Sequence, residues 1–142
     1  MSICRMLGAL NREAQRTFNH EFARLGLTGG MHTLLLHLYR CDGVTQQELS
    51  RHLHFDKAHV ARIIGKLMDQ GYIVKERNPD DQRSYRIFLT PRALEVKPDI
   101  LQVFRNWIDR LVKGFSPRER EDLVELLTRM IGNLDDNRRE MN

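Results

Sequence analysis

The 142-residue sequence predicts a mainly α-helical fold carrying one small β-hairpin. Three observations predict it. Apolar residues recur at threes and fours through most of the chain, the period of a helix with one buried face. One stretch, Tyr72 to Thr90, alternates in part about a turn-forming centre instead. Directly before it lie a short helix pattern, a tight corner and a longer helix pattern.

The first element is a long amphipathic helix with Ile3, Leu7, Leu10, Ala14, Phe18, Phe22 and Leu25 on one face. Gly26 stops it and Thr28 is the expected cap of the next helix, which carries Leu34, Leu35, Leu38 and Tyr39 and ends near Asp42-Gly43. Gly29-Gly30 is unusual at a helix start, because glycine weakens helices; a close backbone approach and local flexibility both fit. Thr45-Gln46-Gln47-Glu48 is a capping-box pattern, with Val44 as a staple and Leu49 and Leu53 one turn apart. His54-Phe55 breaks that helix. Asp56 caps the next, where the partial positive charge of a helix start favours a carboxylate. It runs to about Gln70 and stops at Gly71. Val60, Ile63, Ile64 and Leu67 share its inner face. At 100° per residue, Ala58, Arg62, Gly65 and Asp69 point outward, flanked by His59 and Lys66.

The hairpin follows. Tyr72 to Arg77 is its first strand, Asn78-Pro79-Asp80-Asp81-Gln82 its turn, and Arg83 to Thr90 its second strand. Tyr85, Ile87 and Leu89 fall on one side, Arg86 and Phe88 on the other. Thr90 caps a fifth helix, with Pro91 at its first position. That helix carries a stripe of Leu94, Leu101, Phe104, Ile108, Leu111, Val112 and Phe115; Pro98 is expected to kink it or split off its first turns. Ser116-Pro117-Arg118-Glu119 is a second capping box. It opens a last helix with Leu123, Leu126, Leu127, Met130, Ile131 and Leu134, and residues 137–142 are expected to fray.

Two helices about a short corner, the second with a small and basic outer face, form a helix-turn-helix; the basic hairpin adds a wing. Such a helix can enter the major groove while a wing arginine reaches the minor groove. The expected DNA contacts are Gln46, Lys57, Ala58, His59, Ala61, Arg62 and Lys66 from the helices and Arg83 and Arg86 from the wing. Charge agrees: residues 45–92 hold nine of the 23 Lys/Arg and six of the 19 Asp/Glu, so +3 of the net +4 sits there.

The stretch from Thr45 to Pro91 resembles the MarR family of winged helix-turn-helix transcription regulators. The resemblance rests on Glu48-Leu49-Ser50, Arg62, Leu67 to Gly71, Tyr72 to Arg77, Asp81-Gln82-Arg83 and Leu89-Thr90, in that order and spacing. It implies a homodimer, with Asp81 paired to an arginine, Arg62 or Arg77, to hold the wing. It also suits a repressor relieved by a small aromatic or other apolar effector. The effector is expected between the dimer helices and the winged part, with Met31, His32 and Trp107 as its contacts. Zinc-sensing members take ligands on the fifth helix, which has no histidine here, and His32 and His37 lack the i, i+4 spacing of a helical metal pair. Peroxide-sensing members carry a cysteine near the position of Cys4, but Arg5 alone is weak support for a lowered thiol pKa. A Cys4 redox regulator is therefore the alternative sensing mode. Cys41 reads as structural, and Phe104 and Trp107 as core.

The terminal helices are too long and too apolar to cover one small winged helix, so a twofold dimer on a palindromic operator is expected. The whole chain reads as one domain, with 28–92 as the DNA-binding part and 1–26 and 93–136 as dimerisation helices. With 41% hydrophobic and 30% charged residues, a folded globular chain is expected rather than a disordered one. No membrane span, signal peptide, repeat, cofactor or metal site is expected, and the location is expected to be cytoplasmic. Phosphate-loop, nucleophile and metal-cluster motifs are absent from the sequence, so it does not read as an enzyme. The competing class is a winged helix used only for protein docking. That use calls for an apolar surface, whereas this one carries Arg62, Lys66 and Arg83.

Overall fold

The computed structural model describes the backbone of residues 2–140 and the side chains of residues 2–134. Its elements are α1 (Ile3–Arg24), α2 (Met31–Arg40), β1 (Val44–Thr45), α3 (Gln46–Leu53), α4 (Lys57–Asp69), β2 (Ile73–Arg77), β3 (Tyr85–Leu89), α5 (Pro91–Leu111) and α6 (Pro117–Glu140). The chain forms two compact units, residues 1–105 and 106–142. The mainly helical fold with its hairpin wing is as the sequence predicts.

The first unit holds the winged helix. Val60, Ile63, Ile64 and Leu67 of α4 are buried against a core that includes Leu34, Leu35 and Leu38 of α2, Leu49 of α3, and Ile73 and Ile87 of the hairpin. Phe22 of α1 and Ala93 and Ile100 of α5 close it. The caps form as their side chains dictate. Thr45 Oγ1 accepts from Glu48 N at 3.1 Å while Thr45 N donates to the Glu48 carboxylate at 3.0 Å. Asp56 accepts from His59 N at 2.7 Å. At the corner His54 takes a left-handed backbone, φ 54°, and Ser50 Oγ donates to Phe55 O.

The sheet has three strands in the order β1-β3-β2, all antiparallel. Ile73 pairs with Leu89 and Arg77 with Tyr85 across the hairpin; Val44 pairs with Ile87 and Thr45 with Arg86. The short β1 is not visible in the sequence, because two residues carry no period and Thr45 already serves as a cap. The edge comes close at Gly43 (φ 78°), where an added Cβ would lie 2.8 Å from Phe88 Cε1. Asp42 Oδ1 accepts from Leu89 N and fixes the same junction.

Several expectations change. α2 starts at Gly30, not Thr28. Gly30 has φ 88° and no side-chain cap bond, and Thr28 contributes its carbonyl to Met31 N. The two glycines answer to geometry rather than flexibility. Both are left-handed, and α4 lies close: a Cβ on Gly29 would sit 3.2 Å from Lys66 Nζ and one on Gly30 3.4 Å from Ile63 Cδ1. Thr90 opens α5 with its carbonyl, which accepts from Ala93 N and Leu94 N, while its hydroxyl donates to Gly71 O at 2.6 Å. α5 runs unbroken through Pro98. Pro98 is exposed there, so water can satisfy the carbonyl that loses its partner. The inner face of α5 in the first unit is Ala93, Val96, Ile100, Val103 and Phe104, whereas Leu94 is 57% exposed. Leu94 therefore lies outside the buried face, a distinction that one stripe could not make.

In the second unit, Ser116 and Glu119 form the expected capping box, at 2.8 and 3.1 Å. α6 continues to Glu140, past the start of the expected frayed tail; residues 141–142 lie outside the described residues.

Candidate nucleic-acid interface

α3, α4 and the wing meet at one groove. Thr45, Gln46, Gln47 and Ser50 from the start of α3, Lys57 from the start of α4 and Arg83, Ser84 and Tyr85 from the wing enclose about 320 Å³. The lining holds two cations and no carboxylate. The capping box brings Gln46 here by fixing the first turn of α3, and Asp56 does the same for Lys57. Thr45, Gln47, Ser50, Ser84 and Tyr85 were not among the expected DNA contacts. Their signal was position alone: start of a capped helix and first residues after a hairpin tip.

Along α4, Ala58, Ala61, Arg62, Gly65 and Lys66 are exposed, opposite the buried Val60, Ile63, Ile64 and Leu67. His59 is half-buried, edge-on to Phe55 with ring centroids 4.7 Å apart, so its ring is held to the helix start. The helix thus offers a smooth patch with Arg62 at its centre, a surface that can approach base edges closely.

The wing is held differently from the expectation. Its arginine pair is Asp80 to Arg86, at 3.0 Å, and not one made by Asp81. Asp81 instead accepts from Arg83 N at 3.0 Å, two residues on, which is the bond an Asp in a tight turn makes with its own backbone. Asn78 is buried at the base of the tip, donating to Ser84 Oγ and accepting from Asp80 N. Arg77 lies over the Tyr85 ring at 6.0 Å and Lys75 over it at 5.6 Å. Arg83 projects from the turn, exposed.

The expected effector contacts have unlike surroundings. Met31 is fully buried in the core and cannot meet a ligand in this conformation. Trp107 is buried in the second unit, with the Arg110 guanidinium 5.6 Å from its ring. His32 lines a cavity of about 320 Å³ with Phe18, Asn19, Phe22 and the Thr28 to Gly30 turn. It stacks on Phe22, with centroids 4.0 Å apart, and burial pushes its pKa down to about 4, so the ring is neutral near pH 7. A larger cavity, about 500 Å³, lies between α2, α3 and α5, lined by Leu36, Leu53, Leu101, Tyr39, His37, Arg40, Lys97 and Thr33. None of its lining was expected. Its mix of apolar and basic residues on one turn of α2 was the available signal.

Cys4 and Cys41 are both exposed. The structural reading of Cys41 therefore fails: it follows the last turn of α2, beyond the reach of the Leu34–Leu38 stripe. No cluster of three or more His, Cys, Asp or Glu able to hold a metal occurs among the described residues. No helix among them is long and apolar enough to cross a membrane.

A capped helix pair, a three-stranded sheet whose hairpin projects beside it, and a basic groove between them define a DNA-binding winged helix-turn-helix protein. Residues 25–84 match the MarR family. The HTH-type transcriptional regulator BilQ of Clostridioides difficile is 34% identical over 101 residues, 71% of this chain and 68% of that protein. The uncharacterized HTH-type regulator YybA of Bacillus subtilis is 29% identical over 133 residues, 94% and 89% of the two chains. A MarR transcriptional regulator from Methanosarcina mazei superposes with a TM-score of 0.86 at 34% identity, over 92% of this chain and 94% of the other. A Listeria monocytogenes protein described as a MarR family regulator, solved with a 26mer DNA, gives 0.84 at 26%, over 96% and 91%. The chain belongs to the MarR family of transcriptional regulators. The expectation that it is not an enzyme now rests on these relatives, which are named as regulators.

Proposed function

We propose that the chain is a sequence-specific repressor, acting in the cytoplasm as a homodimer on a palindromic operator and released by a small effector. The observation that carries the DNA reading is the groove where Gln46, Lys57 and Arg83 converge, with Arg62 exposed on the same helix as Lys57. Arg62 reads base edges, with Ala58 and Ala61 giving close approach. Lys57, His59 and Lys66 meet phosphate or flanking bases, and Arg83 enters the minor groove. Arg86 is shared with Asp80, so its contact to DNA is the weaker one. Residues 28–92 form the DNA-binding part, and 1–26 and 93–136 the dimerisation helices. The exposed apolar side chains of α1 and α6 support that division, because an apolar surface of this extent calls for a partner.

The cavity between α2, α3 and α5 suits an effector better than the Met31, His32 and Trp107 set does. Its volume of about 500 Å³ falls among those of small-ligand sites, and its walls are apolar with a few polar groups. An effector wedged there would separate α2 from the helix-turn-helix and change the spacing of the two recognition helices.

Selection of bound sequences from a random DNA pool tests the reading. A two-fold symmetric motif with half-sites about one helical turn apart is expected. Recovery of unrelated sequences at equal affinity would sink sequence-specific regulation and leave the docking-module alternative.

A further inference from the structure

His37 and His52 stand fifteen positions apart, on α2 and α3, so no spacing motif connects them. In the fold His52 Nδ1 lies 3.3 Å from His37 Nε2, with the ring centroids 5.1 Å apart and the rings inclined at 48°. Two readings compete for this contact. At 3.3 Å the N–H of one ring can donate to the bare nitrogen of the other. Two nitrogens on one tetrahedral metal, with bonds of 2.0–2.1 Å, stand about 3.3–3.4 Å apart, so the same separation lets both rings bind one ion without either moving.

We infer that His37 and His52 form an open two-histidine site for a divalent transition-metal ion of the zinc type, binding where α2 meets the first helix of the helix-turn-helix. Neutral imidazole suits zinc, cobalt and nickel ions alike. No third His, Cys, Asp or Glu joins the pair among the described residues, so water or an added ligand fills the remaining positions. Space for them exists. His37 lines the cavity of about 500 Å³, and His52 is exposed to solvent. The charged groups on that cavity wall are Arg40 and Lys97, with Lys97 held 5.0 Å over the Tyr39 ring. Both repel a bare dication, so this is a site of modest affinity that favours an anionic co-ligand. A bound ion would tie α2 to α3 and so stabilise the folded state by mass action.

The test is titration of the untagged full-length chain with Co2+, without DNA or effector, followed by visible ligand-field absorption and thermal unfolding. One Co2+ per chain, a new absorption band and a raised Tm are expected. His52→Ala and His37→Ala are each expected to weaken Co2+ binding by at least about tenfold, the lower end of what losing even an outer partner costs a metal site. His20→Ala, on the exposed part of α1, keeps native binding. His52 is a surface residue, so its variant folds even if the His37 variant does not. Absence of the band at excess Co2+, or native affinity in His52→Ala, overturns the proposal and assigns the contact to a hydrogen bond. Neither outcome bears on DNA binding, which is measured separately.

Discussion

In α4, four apolar residues at helical spacing, Val60, Ile63, Ile64 and Leu67, are all exposed by 1% or less. In α6, Leu126, Leu127, Met130, Ile131 and Leu134 follow the same spacing and are 40–63% exposed. Both helices start from a good cap, and both have the period of a helix with one buried face. The difference lies in what covers the face. The winged part supplies its own cover from α2, α3, β2 and β3, so its fold is complete within one chain. The α6 stripe stays in solvent, as do Ile3, Met6, Leu7 and Leu10 at the start of α1. Apolar periodicity marks a face to be buried without saying whether the cover comes from the same chain.

The largest effects are expected at α6. In the proposed twofold dimer each substitution occurs twice. Removing about 1.5–3 kcal/mol of apolar burial per side chain then costs about 3–6 kcal/mol per dimer, at least 100-fold in association. Ile131→Asp and Leu127→Asp are expected to sediment as monomers and to lose palindrome binding, while the near-ultraviolet spectrum of the winged part persists. A native dimer in both variants would place the interface elsewhere.

Next in size is the recognition helix. A good bidentate base contact is worth about 1–3 kcal/mol, so Arg62→Ala is expected to weaken operator binding by that much and to relax preference at one position per half-site. Unchanged affinity and unchanged base preference in a folded variant would remove Arg62 from the site. Gly43→Ala sharpens the contrast within the winged part itself. A left-handed backbone costs a residue with a Cβ about 1–2 kcal/mol, and the Phe88 ring stands 2.8 Å from the new atom. Urea denaturation is expected to show at least that loss, with oligomeric state unchanged.

The wing gives the smallest effects. Arg83→Ala is expected to reduce the salt dependence of binding by about one phosphate equivalent and to leave major-groove preferences intact. Asp80→Ala breaks a pair whose side chains are 80% and 38% exposed, so stability changes by less than about 1 kcal/mol. It also removes a negative charge and frees Arg86, so DNA binding is expected to tighten. Weaker binding at several salt concentrations would show that the pair acts as an anchor.

The framework of the groove was legible in advance because it rests on local chemistry. Thr45, Glu48 and Asp56 act on backbone groups within three residues of themselves, and the 100° step of a helix places Arg62 opposite Ile64 and Leu67 whatever the surroundings. The wing carboxylate was legible only in kind. The resemblance implied that Asp81 meets an arginine, but the pleat of β3 sets Arg86 against Asp80 while Asp81 turns to its own backbone. The surroundings of Met31 and His32 were not legible. Met31 and His32 are neighbours on α2, and only the packing of α1 and α4 against that helix sends one into the core and the other to a cavity wall.

The helices, the caps at Thr45, Asp56 and Ser116, the hairpin and the basic face could all be read from the amino-acid order, because each follows from interactions spanning a few residues. Tertiary structure alone decided three other things: the pairing of Val44-Thr45 with β3, the left-handed Gly29-Gly30 turn beneath α4, and the meeting of His37 with His52. Each of these brings together residues far apart in the chain, and their encounter depends on how whole elements pack.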